Sequence, residues 1–106
     1  MPDAVLHRLE RAIAARRDAD PAASYVAQLH QRGLATIARK LGEEAVETVV
    51  AALSDGREEL VGEAADLLFH LLVLLSAKSI ALDEVLAELA RRESVSGLDE
   101  KAGRTA

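Results

Sequence analysis

Five carboxylates lie close together in two runs of this sequence: Glu43, Glu44 and Glu47, then Glu63 and Asp66. On a helix turning about 100° per residue, Lys40, Glu43, Glu44 and Glu47 share one sector. Glu59, Glu63, Asp66 and His70 form a second stripe, set among Leu, Val, Ala and Phe. Glu44 with Glu47, and Glu63 with Asp66, are spaced i, i+3, so two adjacent antiparallel helices can aim all four at one volume. A solvated acidic face normally carries Lys or Arg one turn on, but Thr48 and Ala51 follow Glu44 and Glu47 there. Like charges crowded in apolar surroundings are tolerated when a cation is shared among them. An all-oxygen donor set selects a hard ion, Mg²⁺ or Mn²⁺, over zinc. Because Mg²⁺ keeps several waters and completes its shell with phosphates, the chemistry expected is cleavage of a nucleotide or another pyrophosphate.

The elements that must position these groups read as helices throughout. Val5, Leu6, Leu9 and Ile13 recur at helical spacing from Asp3, a candidate N-cap, to about Ala19. Asp18-Ala19-Asp20-Pro21 breaks the chain. Ser24 then caps a segment from Tyr25 to about Arg32, short helix or loop, which Gly33 ends. A helix over about Thr36 to Leu53 stops at Ser54-Asp55-Gly56, and the next runs from about Arg57 to Ala77. The last, about Leu82 to Glu93, has Asp83 and Glu84 in its first turn and Arg91 and Arg92 in its last, as the helix dipole favours. No strand alternation is present. The fold expected is all-α, an antiparallel bundle of four to five helices over residues 1–93, with residues 94–106 a flexible tail of small and polar residues. Leu67 to Leu75 is apolar nearly all round, so a second copy should cover it in a homodimer.

Composition narrows the field further. Lys and Arg number 13 against 18 Asp and Glu, a net charge of −5, which disfavours coating a nucleic-acid backbone. Only 2% of residues are aromatic, so the core must be aliphatic and helical rather than a sheet. The absence of Cys excludes disulfides, thiolate metal sites and Cys nucleophiles, and fits a cytoplasmic protein. No signal-peptide core opens the chain, and Leu67 to Leu75 falls short of the ~20 apolar residues of a membrane span.

Gly42-Glu43-Glu44-Ala45-Val46-Glu47, followed by Glu63-Ala64-Ala65-Asp66, resembles the ExxE-to-ExxD signature of the MazG-like all-α nucleotide pyrophosphohydrolases. With the flanks from Gly33-Leu34 and Ile37-Ala38-Arg39-Lys40-Leu41 through Leu67-Leu68-Phe69-His70 to Leu75, the chain is similar to the phosphoribosyl-ATP pyrophosphatase family over about Ser24 to Arg92. That resemblance implies hydrolysis of phosphoribosyl-ATP to phosphoribosyl-AMP and pyrophosphate, the second step of histidine biosynthesis. It maps Glu44, Glu47, Glu63 and Asp66 onto metal ligands, with Glu43 beside them as a further ligand or the base that orients water. Phe69 departs from the Tyr expected in many relatives. Lacking Cys and spare length for a fused cyclohydrolase, the chain is expected to be the stand-alone form.

Arg39, Lys40, Lys101 and Arg104, with Arg32, are the cations available for the phosphates. Lys40 serves equally as an i, i+4 partner of Glu44. His70 is either a satisfied core residue or an orienter behind Asp66. Gly42 costs its helix about 1 kcal/mol against Ala, which a packed neighbour or an approaching phosphate would explain. The rival readings are a pyrophosphohydrolase that cleanses the nucleotide pool and a non-catalytic dimeric helical module. A di-iron bundle would want Glu-x-x-His pairs, which neither Glu44 nor Glu63 forms.

Overall fold

The computed structural model describes residues 2–54 and 56–93, the side chains of residues 2 and 3 excepted. The Asp55 turn residue and the whole tail, Lys101 and Arg104 included, therefore lie outside the described residues, whereas Asp3, expected as a cap, falls inside the first helix, which already begins at Pro2. Those described form five helices and no strand: α1 (Pro2–Arg16), α2 (Tyr25–Arg32), α3 (Leu34–Leu53), α4 (Arg57–Ala77) and α5 (Leu82–Arg92).

Local chemistry sets the boundaries. α1 ends three residues short of Ala19 because the backbone tightens into i, i+3 bonds, Arg17 N to Ala14 O and Ala19 N to Arg16 O, and Asp20 then accepts from the Ala22 N–H at 3.0 Å. The 25–32 segment is a helix, with Ser24 Oγ accepting from the Ala27 N–H at 3.2 Å. Gly33 sits at φ 101°, a left-handed conformation that L side chains avoid. Its carbonyl starts the next helix by accepting from Ile37. α3 thus begins at Leu34, two residues before the expected Thr36.

Ile13, Val26, Leu29, Ile37, Leu72, Val73 and Leu82 form an aliphatic core drawn from all five helices. α1 and the turn after it also tie down the α4–α5 junction, in part by satisfying helix-end groups. Glu10 accepts from the Leu82 N–H at 2.7 Å, Arg17 donates to the Ser76 carbonyl at 3.2 Å, and His7 meets Asp83 at 2.7 Å.

α3 and α4 form an antiparallel hairpin whose free end extends beyond this core. In line with the expectation that its own chain cannot cover it, α4 is not enclosed: His70, Leu72 and Val73 are buried, while Leu68 is 46% exposed. Its neighbours cover only one side. Val46, Val49, Val50 and Leu53 on α3 and Val61 on α4 are also exposed. By length and composition alone α4 is long and apolar enough to cross a membrane, but midway it carries Glu63 and Asp66, whose carboxylates lie beside Glu44 of α3.

Candidate active site

The hairpin brings the two acidic runs together. Carboxylate oxygens of Glu44, Glu63 and Asp66 all lie within 4.8 Å of one another, and Glu47 is close enough to Glu63 to push its carboxyl up. A cavity of about 570 Å³ opens beside them, lined by Glu47, Val50, Ser54, Glu59, Glu63 and Asp66. Thr48 lies at the crossing, its hydroxyl 2.7 Å from the Glu44 carbonyl and 3.2 Å from the Glu63 carbonyl. One side chain therefore bridges the two backbone turns that carry Glu44 and Glu63.

The electrostatics are those of a cation site. One oxygen each of Glu44 and Glu63 is buried without a hydrogen-bond partner among the described residues. Unsatisfied buried carboxylate oxygens are costly, and a bound cation satisfies them. Hydrogen bonding with Glu47 and burial push the Glu63 carboxyl up to about 7. Burial and the charge of Glu47 raise Glu44 as well. Like charges held this close retain a proton until a positive ion replaces it. The residues present fit a hard divalent ion, with oxygen donors and no nitrogen or sulfur among the cluster.

The other expected residues lie around this centre. Glu43 is not among the residues lining the cavity; its carboxylate lies 3.7 Å from Arg39 and 3.6 Å from Lys40. Lys40 thus pairs with Glu43 at i, i+3 rather than with Glu44, and the missing basic partners precede the acidic run instead of following it. His70 is a satisfied core residue: its Nδ1 donates to the Asp66 carbonyl at 2.8 Å, leaving Nε2 to accept from the Tyr25 hydroxyl at 3.1 Å. Its bond to the backbone of Asp66 also steadies the turn that presents that carboxylate. Arg32 is exposed at the end of α2. A side chain at Gly42 would meet nothing within 4 Å, so no packed neighbour among the described residues explains this glycine.

Sequence reasoning passed over Thr48, noted only as a missing base, and placed Glu59 in the stripe without a role. The i+4 spacing of Thr48 from Glu44 on the flank of the acidic sector was the available signal.

A family model described as phosphoribosyl-ATP pyrophosphohydrolase matches residues 6–93. The chain belongs to this family. It is 67% identical over 99 residues to a phosphoribosyl-ATP pyrophosphatase of Erythrobacter litoralis, covering 93% of this chain and 95% of the relative. A phosphoribosyl-ATP pyrophosphatase of Novosphingobium aromaticivorans is 65% identical over 101 residues, covering 95% of this chain and 94% of the relative. One from Rhizorhabdus wittichii is 61% identical over 99 residues and 93% of each chain. Every carboxylate of the cluster falls inside the family match.

Proposed function

We propose that this chain hydrolyses phosphoribosyl-ATP to phosphoribosyl-AMP and pyrophosphate, the second step of histidine biosynthesis, with Mg²⁺ or Mn²⁺ as its cofactor. The observation that carries the reading is the convergence of Glu44, Glu63 and Asp66, with Glu47 against Glu63, in a chain matched along its length by phosphoribosyl-ATP pyrophosphatases. The rivals lack support of that length.

Glu44, Glu47, Glu63 and Asp66 would hold the ion, which would offset polyphosphate charge and make a water more acidic. Arg39 and Lys40, one turn before Glu43 and Glu44, are placed to meet phosphate oxygens. A phosphate that engages them releases Glu43 from its two ion pairs, and Glu43 is then free to accept the proton of the attacking water. Glu59, on the wall of the same cavity, adds negative charge that favours the cation-bound form.

The active species is a homodimer. Val46, Val49, Val50 and Leu53 project an exposed apolar face from the half of α3 that flanks the cavity. A contiguous face of this kind is unusual on a monomer. A second copy seated on it would wall the carboxylates away from bulk water. The substrate and the lack of Cys suit the cytoplasm.

The test is product analysis by ³¹P NMR with Mg²⁺ and with excess EDTA. Pyrophosphate appearing with phosphoribosyl-AMP only in the presence of the metal supports the assignment. Release of orthophosphate, or equal turnover in EDTA, contradicts it.

A further inference from the structure

The chain contains one Tyr and one Phe, and both stand in one cluster. The rings of Tyr25 and Phe69 lie 6.1 Å apart, centre to centre, and are inclined by only 21°. The buried His70 ring meets both edge-on, at 5.9 Å and 5.1 Å. Its hydrogen bond fixes the Tyr25 hydroxyl, yet the Tyr25 residue remains 45% exposed. An aromatic ring anchored at its tip with much of its surface left open is a stacking platform.

A cavity of about 500 Å³ opens at this platform, lined by Arg16, Ser24, Tyr25, Val26 and Phe69. Arg16 is exposed in the last turn of α1 and makes no ion pair among the described residues. Along α4, the walls of the two cavities follow in order: Glu59, Glu63 and Asp66 line the first, and Phe69 lines the second. Asp66 and Phe69 are separated by about 4.5 Å of helix rise, a gap that one sugar bridges between a phosphate and its base.

Resting on the function proposed above, we propose that this second cavity is the subsite for the far half of the substrate. The purine stacks on Tyr25 and Phe69, and Arg16 pairs with the phosphate of the added ribose. A guanidinium suits that task because its planar fork meets phosphate oxygens two at a time. Arg16 would then distinguish the substrate from ATP, which lacks this group.

The test compares the full chain with Arg16→Met, Tyr25→Phe and Tyr25→Leu, all with saturating Mg²⁺. Expected for Arg16→Met is a KM for phosphoribosyl-ATP raised at least ~10-fold with kcat within about twofold. The inhibition constant of ATP should stay unchanged in that variant. Tyr25→Leu should raise both the KM and the ATP inhibition constant, whereas Tyr25→Phe, which keeps the ring, should keep both. Arg16 is exposed and makes no ion pair among the described residues, so its variant remains decisive even where Tyr25→Leu fails to fold. Wild-type KM in Arg16→Met overturns the phosphate contact, and equal weakening of ATP and phosphoribosyl-ATP binding in it does so too. Unchanged kinetics with loss of the dimer in sedimentation would make the cavity a subunit contact and overturn the proposal. Each of these outcomes presupposes an active wild type, so failure of the function itself would show separately, as no pyrophosphate release by the unmodified chain.

Discussion

The Thr48 hydroxyl on α3 lies 3.2 Å from the Glu63 carbonyl on α4, and 2.7 Å from the carbonyl of Glu44 on its own helix. It spans the two turns whose carboxylates converge. Thr48→Val keeps the shape and removes the hydroxyl, which should cost about 1 kcal/mol of stability. Because the lost bond lies behind the ligands, Mg²⁺ affinity should fall several-fold as well. Thr48→Ser should restore it. Calorimetric titration of the three proteins with Mg²⁺ reads this directly, and equal affinities would reduce Thr48 to a packing residue.

Removing any one ligand should separate activity from folding. Glu44→Ala, Glu47→Ala, Glu63→Ala and Asp66→Ala are each expected to lose nearly all turnover while melting at or above the temperature of the metal-free parent. The sign follows from the raised carboxyls of Glu44, pushed up by burial and then the charge of Glu47, and of Glu63, pushed up by Glu47 and burial, since both disfavour the charged form without a cation. Thermal melts in EDTA, paired with turnover in Mg²⁺, provide the check. Full activity in two of the four would remove the metal assignment.

With Glu63 as a ligand of the proposed ion, proton and metal should compete at its carboxyl. Its carboxyl is held up to about 7, by hydrogen bonding with Glu47 first and burial next, against an ordinary value of 4.5. Between those values the folded protein keeps a proton that the unfolded chain has lost, so metal-free stability falls as pH rises from about 4.5 through 7. Mg²⁺ must displace that proton, so its affinity should drop up to about tenfold per pH unit below 7. The gap in melting temperature between Mg²⁺ and EDTA should therefore narrow from pH 8 to pH 6. A constant gap would show that Glu63 does not bind the ion.

The exposed valines offer an independent check on assembly. Val50→Asp and Leu53→Asp place charge on the face assigned to the second copy, at residues 62% and 85% exposed in the single chain. Sedimentation equilibrium should find the parent a dimer at micromolar concentration and these variants monomeric, with helical content retained. A monomeric parent with a cooperative melt would mean that one chain suffices.

Much of the bundle was legible because its signals are local. Ser24 as a cap, Gly33 as a stop and the 3.6-residue recurrence of Glu44, Glu47, Glu63 and Asp66 depend on neighbours within one or two turns. Contacts between helices were not legible in the same way. Hydropathy marks Leu67 to Leu75 as needing cover, but which side the chain's own helices supply depends on how α1, α2 and α3 pack. Glu43 reads as a cluster member on a wheel, yet two cations one turn earlier draw it aside. Tyr25 and His70 meet across 45 residues of sequence. The end of α1 was misplaced because apolar spacing says nothing of the i, i+3 bonds that close it.

Substrate choice tests the account most directly. Phosphoribosyl-ATP, ATP, dUTP and dCTP, each with Mg²⁺ at equal concentration, should be compared by kcat/KM from pyrophosphate release. A site built to hold a second ribosyl phosphate leaves its cation unpaired when that group is missing, so phosphoribosyl-ATP should lead by at least ~10²-fold. A deoxynucleotide at the head of the series would contradict the assignment and leave only the fold and the carboxylate centre standing.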